Sequence, residues 1–509
     1  MSSSTISKII NDANLSADNI PQAQSLLDKF SNLPPHEKET HRASISSEAF
    51  CLFFGQNAII KGEDAYETHR QAEWSANCWL KPQVIVLPDS AQQVATVLSL
   101  VCFFNFTFSI RGGGHLSNPR FTSNDGGVVI SLAALDHIEL AEDKSIARIG
   151  AELRWLDVYK ALDPHGLAVA GGRTPTVGVS GLLLGGGLSY QNGRYGVGAA
   201  GVVNYEVVLG NSEVVNANMH ENSDLFWALK GGGPNFGIVT KMDMETVPTT
   251  TWSMLKVYPP THTKEIQAAL MRYHEAIEKD NKSCLIWFSA NDYTILLYFY
   301  SESVEHPAVF DMFRDIPHIS YFIEPGLRTT YELTKTVIDI LPEGPKWHEF
   351  RTMTNMPSLE VYEAIETARM EQANALRDIE GLYLTTVIQP LSSHAITQSG
   401  RNGGTPLGLE PVGQQWFLVM ADWTYEEDED RVRQAARYIV NAAEEAARKA
   451  GKLFPYRYSN YSSRDQDPLA SYGVENIERM KSVAAKYDPD GVFQKLQNDG
   501  WLLSKVGGV

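Results

Sequence analysis

Between residues 81 and 116 the chain reads "KPQVIVLPDSAQQVATVLSLVCFFNFTFSIRGGGHL", and the period of its apolar positions changes twice. The run "VIVL" has the length of a buried strand. Ser90 with Gln93 three residues on forms a capping box, and Val94, Val97, Leu98 and Val101 then follow at helix spacing. "FTFSI" predicts a second strand that ends on three glycines. Further strands are expected in "GVVISL" and "SIARIGAEL", and in the pair "VVNYEVVLG" and "SEVVNA" across a Gly-Asn turn. "DLFWALK" predicts a short helix and "GIVTKMDMETV" a returning strand, closing an α+β segment near Pro248.

From about 250 to 453 the texture changes. Amphipathic helices at about 263–280, 357–378 and 425–450 alternate with aromatic strands "CLIWFSA", "YTILLYFY" and "QQWFLVMADW". That pattern predicts an antiparallel sheet covered by helices on one side. Residues 1–45 are polar and loosely helical, an arm or a lid. The last 55 residues carry "YRYSNYSSRDQD" and then a helix through "ENIERMKSVAAKYDPDGVF". A chain of 509 residues exceeds one simple core. The expected division is 1–249 (an arm to about 75, then 78–249), 250–453, and a C-terminal segment 454–509 that returns to the first part.

Charge narrows the partners. A formal net charge of −18 argues against nucleic acid and anionic membrane surfaces, which require basic patches. The sequence has no apolar run long enough to span a bilayer and no apolar core of a signal peptide near its start, so a cytoplasmic protein is expected. Cys51, Cys78, Cys102 and Cys284 are scattered, without CxxC or zinc-type spacing, so reduced thiols and no metal site are expected.

The placement of glycine is more informative than its amount. Three GGG runs, at 112–114, 185–187 and 231–233, lie in the first half with "AGGRTPTVG" at 170–178. Any one run could be a tight turn. Together they suggest loops wrapping one large phosphate-bearing ligand with bare backbone. There is no P-loop. A literal GxGxxG at Gly196, Gly198 and Gly201 is followed by the strand-like "VVNYEVV" rather than a helix, which excludes the Rossmann reading.

"RGGGH" (111–115), "PTVGVSGLLLGGG" (175–187), "DLFWALKGGGPNFGIVT" (224–240), "GGTPLGL" (403–409), "NYSSRD" (460–465) and "YGVENIERMKSVAAKYDPDGVF" (472–493) carry a resemblance. Across about 75–500 the chain resembles the FAD-linked oxidases with a vanillyl-alcohol-oxidase (VAO/PCMH)-type flavin domain. Within them it is similar to the berberine-bridge-enzyme-like branch, especially its fungal members. The resemblance implies a two-part FAD-binding domain with a substrate domain over the flavin, the α+β class expected above.

It also implies a cofactor, FAD, bonded through His115 to the 8α-methyl carbon of the flavin. A neutral imidazole nitrogen is a suitable nucleophile for that bond. Carried over residue by residue, the cofactor contacts fall on Arg111, Gly112, Gly113, Gly114, His115, Leu116, Thr176, Val177, Gly178, Gly181, Gly185, Gly186, Gly237, Ile238, Val239 and Asn460. Many relatives add a cysteinyl link in a pattern like G-x-C-P-T-V-G. Thr174 stands there in this chain, and a hydroxyl cannot replace a thiolate, so a single link is expected. Val177 falls beside the oxygen-reacting face of the flavin, where a small side chain would admit O2; packing of a turn is its other reading. Leu188, with Tyr190 two later, and Ala200 with Gly201 in "GAAGVV" depart from the family pattern.

The candidate bases are Tyr458 and Tyr461, with Glu410 as a further carboxylate. A phenol must have its proton affinity lowered, or be paired, to act as a base. Trp287, Phe288, Tyr298, Phe299, Tyr300, Trp416 and Phe417 supply an aromatic wall, of which alternation allows only about half to face the substrate. The function implied is an FAD-dependent oxidase of small hydrophobic specialised metabolites, using O2 and acting as a monomer or homodimer. Alternatives are a non-redox isomerase or pericyclic cyclase of the same fold, a carbohydrate oxidase, or a binding protein without flavin.

Overall fold

The computed structural model describes residues 3–340, 344 and 346–507. Its first sheet has the order β1-β2-β4-β3, from Ala58–Ile60 (β1), Val84–Val86 (β2), Phe108–Arg111 (β3) and Val128–Ser131 (β4). β4 runs parallel to both β2 and β3. Val84, Ile85 and Val86 are all fully buried, as a strand covered on both faces requires. The helix Ala91–Phe104 connects β2 to β3. Its Ser90 hydroxyl caps the Gln93 N–H at 3.3 Å, while the Gln93 side chain accepts from Asp89 N–H at 3.1 Å. Asn105, at φ 52°, ends the helix in the left-handed region.

The N-terminal residues are not a detached lid. Helices Ser3–Asp12, Asn19–Asn32 and Pro35–Phe54 share the main core with the helix Ala91–Phe104, and the Phe30 ring meets Phe104 edge-on at 4.8 Å. Polar composition concealed a buried stripe of Ile6, Ile9, Leu27 and Phe30.

The second sheet joins Ile138–Leu140 (β5), Ile146–Gly150 (β6), Leu167–Val169 (β7), Val202–Val208 (β8), Val214–Asn218 (β9) and Ile238–Pro248 (β10). β10 is its centre, antiparallel to β6, β7 and β8. Gly198–Gly201 forms a short 3-10 turn running straight into β8, so the GxGxxG is followed by a strand.

The third sheet is wholly antiparallel, in the order β14-β11-β13-β12-β16-β17-β15-β18. Its strands are Thr250–Tyr258 (β11), Ser283–Ser289 (β12), Thr294–Tyr300 (β13), Ser320–Thr329 (β14), Trp347–Asn355 (β15), Tyr383–Leu391 (β16), Gln414–Trp423 (β17) and Leu453–Phe454 (β18). The helices Thr263–Ile277, Leu359–Ala375 and Glu429–Lys449 cover one face. Trp287, Tyr298, Tyr300 and Phe417 point into that helix-side core. Ile286, Phe288, Leu297, Phe299, Val387 and Leu418 point the other way. Strand alternation therefore divides the expected aromatic wall: Phe288 and Phe299 line the second face, while four of the seven only hold helices. Trp416 packs instead on Tyr456 and Tyr458 of the return segment.

Candidate active site

Two glycine loops touch edge to edge. A Cβ on Gly113 would stand 2.5 Å from Gly178 Cα, and one on Gly112 would stand 2.4 Å from Ser180 Oγ. Only bare backbone permits that approach. Arg154 clamps the two loops: its Nη1 donates to the carbonyl of Gly113 and, at 2.7 Å, to that of Thr176. Gly114, at φ 58°, then turns the chain into His115. His115 Nε2 lies 3.0 Å from Thr176 Oγ1.

The His115 ring is stacked. Trp74 lies parallel to it at 4.4 Å, and His348 lies on Trp74 at 3.5 Å. His348 Nδ1 is 2.7 Å from Asp422 Oδ1, so β15 and β17 support the stack from the third sheet. Burial, with the Arg154 guanidinium nearby, lowers the His115 pKa to about 3. The ring is neutral at physiological pH, and a neutral imidazole keeps a nitrogen lone pair.

Arg111 is withdrawn beneath this loop. It is 3% exposed and faces the buried Glu73 at 3.7 Å. Burial raises the Glu73 carboxyl and Arg111 pulls against it. Leu116 contributes a carbonyl that accepts from the Cys78 thiol. Gly181 is exposed with open space around it, and partly buried Val177 packs on the main core. Gly237, Ile238 and Val239 lie where β10 meets β8, and a Cβ on Gly237 would meet the Val207 side chain.

The second GGG run receives the return segment. A Cβ on Gly185 would overlap the Asn460 side chain, and Asn460 Nδ2 donates to Leu182 O at 2.9 Å. The third run packs on Leu407 and Phe236, and Gly231 O accepts from Tyr472 OH.

The two candidate phenols differ. Tyr458 is 1% exposed, and its hydroxyl accepts from Leu188 N–H at 3.0 Å and Asn460 Nδ2 at 2.9 Å. Burial pushes its proton affinity up, which opposes a base. Tyr461 is partly exposed; its hydroxyl accepts from Arg173 Nη2 at 2.8 Å and donates to Gln389 Oε1 at 3.3 Å. Arg173 also donates to Gln389. Tyr190 stacks on Phe299 at 5.1 Å beside them. Glu410 is exposed and makes none of these contacts; its backbone carbonyl accepts from the Gln414 side chain. The structure thus brings Tyr461 to the second face of the third sheet, packs Tyr458 beneath it, and leaves Glu410 outside.

The FAD binding domain family matches residues 82–218. An FAD-dependent monooxygenase of Arthrobotrys oligospora is 34% identical over 463 residues, covering 89% of this chain and 88% of its own. The bifunctional solanapyrone synthase of Alternaria solani is 31% identical, covering 88% and 87% respectively. The chain belongs to the berberine-bridge-enzyme-like flavoproteins with a VAO/PCMH-type FAD domain. The fold agrees: Physcomitrella patens BBE-like 1 superposes with a TM-score of 0.75 at 17% identity, over 89% of this chain and 99% of that one.

The groove residues of this berberine-bridge-like flavoprotein fit FAD. Two bare-backbone loops set a neutral imidazole and a hydroxyl side by side, and an apolar wall with one polar cluster stands near them. The sequence contained no signal for Trp74, Arg154, His348 or Asp422, which reach the site from distant positions. Arg173 and Gln389 adjoin recognisable stretches, but only a side-chain contact between the loop and β16 makes them neighbours.

Proposed function

We propose that this FAD-dependent oxidoreductase of secondary metabolism is an oxidase of small hydrophobic metabolites, with FAD attached through His115 alone. FAD held there would supply a two-electron acceptor that O2 could reoxidise, with release of H2O2. His115 holds the ring through its free nitrogen, and Thr176 and Trp74 fix the plane and direction of that nitrogen. Thr174 supplies no second link. Phe288, Phe350 and Met420, the partly exposed members of that sheet face, bind the apolar body of the substrate, with the buried Phe299 and Tyr190 packed behind them. Tyr461, which is partly exposed, relays the substrate proton, its oxygen taking that proton as the hydroxyl's own passes to water, and Arg173 and Gln389 hold that oxygen in place. The observation that carries this reading is the position of Tyr461, the candidate phenol that opens onto the apolar face.

The test begins with acid precipitation. The pellet of the wild-type protein stays yellow, and that of His115→Ala does not, the flavin passing to the supernatant. Digestion yields one flavin peptide, carrying His115. Turnover then gives a product short of two hydrogens and one H2O2 per product. A second reading, ring closure without net oxidation, is favoured by the similarity to a bifunctional synthase. It gives product of unchanged mass and no peroxide. Gain of an oxygen atom would replace both readings with a monooxygenase.

A further inference from the structure

Arg173 carries a charge that nothing described in the protein neutralises. Its guanidinium lies where the loop 170–178 meets the third sheet, against Gln389, Tyr461 and the Cys284 thiol, and the Tyr190 hydroxyl donates to the Arg173 backbone carbonyl. All four are neutral as ordinary side chains. Among the described residues no carboxylate makes an ion pair with it. The other arginines near the site are compensated: Arg111 faces Glu73, Arg154 faces Glu152, and Arg351 faces Asp465. Uncompensated guanidinium in an apolar, partly closed recess is costly, and proteins retain such groups where a ligand supplies the counter-charge.

The geometry leaves room for that ligand. Nη2 serves both Gln389 and Tyr461, the Cys284 thiol also bonds the guanidinium, and no described oxygen accepts from Nη1 or Nε. A planar group with two oxygens suits a guanidinium edge that has no oxygen partner, since two parallel N–H donors match it. The position is also right for a substrate group. Three residues along the same loop, Thr176 bonds His115, and three residues span at most about 11 Å. Arg173 thus sits beside the attachment end of the groove, with the apolar side chains Phe299 and Tyr190 next to it.

The geometry points to Arg173 as the anion-recognising residue of the substrate site, and to a substrate that joins an apolar body to a planar oxyanion, a carboxylate or the enolate of a β-dicarbonyl. This rests on the oxidase reading above and names the class of its substrate. Neutral alcohols and free sugars offer no such partner.

Calorimetric titration of the purified holoenzyme tests the assignment with two matched pairs of probes. Cinnamate is compared with cinnamamide, and 4-hydroxycoumarin with its 4-methoxy ether. At least one anion binds about tenfold or more tightly than its neutral partner, the scale of a charge-assisted bidentate contact. Which anion does so identifies the source of the oxyanion. Arg173→Met brings the affinities of each pair together, and Arg173→Lys keeps part of the preference. Equal affinities within both pairs in the wild type, or a preference that survives in a folded Arg173→Met, overturns the assignment. Flavin content separates the two failures. A yellow pellet with no charge preference sinks Arg173 recognition alone, whereas a colourless protein sinks the oxidase reading whatever it binds.

Discussion

Tyr458 and Tyr461 are three residues apart, and their rings meet edge-on at 4.7 Å, yet they answer to different constraints. The hydroxyl of Tyr458 is the only described partner of a buried backbone N–H, that of Leu188. Removing it orphans that donor, which costs about 1–3 kcal/mol. Tyr458→Phe therefore lowers stability in denaturant unfolding while leaving the site's polar cluster in place. Tyr461→Phe has the opposite profile. Its stability stays within about 1 kcal/mol of wild type, because Arg173 and Gln389 still bond each other, and kcat falls by about 10²-fold or more, the scale of a lost general base. Equal losses of stability in the two variants would refute the division of roles. The sequence presents the two phenols as equals. They diverge because a 3-10 turn at Ser459–Tyr461 sends one side chain toward Trp416 and the other toward β16.

At the scale of elements, the return segment is pinned to the third sheet by charge. Asp465 receives Arg351 of β15 and Arg437 of the helix Glu429–Lys449, with Arg433 at 3.9 Å. Burial acts to raise the Asp465 carboxyl, but Arg351, Ser463 and Arg437 together outweigh it and hold it down at about 2. A carboxyl with a folded value below its ordinary 3.8 contributes stability that is present above about 4 and lost as pH falls through 2. Asp465→Asn consequently lowers the midpoint of urea unfolding at pH 6–7, and the deficit shrinks below about pH 4. A deficit of constant size down to pH 2 would mean that the ion pairs are not its cause. The cluster joins three elements far apart in the chain. Its members were visible in "NYSSRD" only as a motif, because no local spacing announces that a strand at 351 and a helix at 437 converge on one carboxylate.

For the whole molecule, acid lability follows from a buried neutral histidine. His274 is 6% exposed, with Nε2 2.6 Å from the Tyr362 hydroxyl, between two helices that cover the third sheet. Burial lowers its pKa from 6.5 to about 3, and His115 is lowered to a similar value. A histidine that stays neutral when folded binds fewer protons than the unfolded chain between these limits, so stability falls as pH drops from 6.5 toward 3. His274→Gln flattens that slope in thermal unfolding across pH 4–7, whatever it does to stability at pH 7. An unchanged slope would place the acid sensitivity elsewhere.

The sequence by itself determined the class of protein and the chemistry it can hold. Periodicity placed the strands at 84–86, 108–111 and 202–208 and the three covering helices, because burying one face of a strand or helix imposes a local repeat. The glycine loops and His115 were legible for a similar reason, since bare backbone and a reactive imidazole are properties of the residues themselves. Tertiary structure alone decided which face of the third sheet meets the groove, and so which aromatics line it. It alone packed the N-terminal helices into the core, separated Tyr461 from Tyr458, stacked Trp74 between His115 and His348, and left Arg173 without a counter-charge. Those outcomes depend on contacts between residues tens or hundreds of positions apart, where pairing of strands and exclusion of water, not local pattern, set the distances.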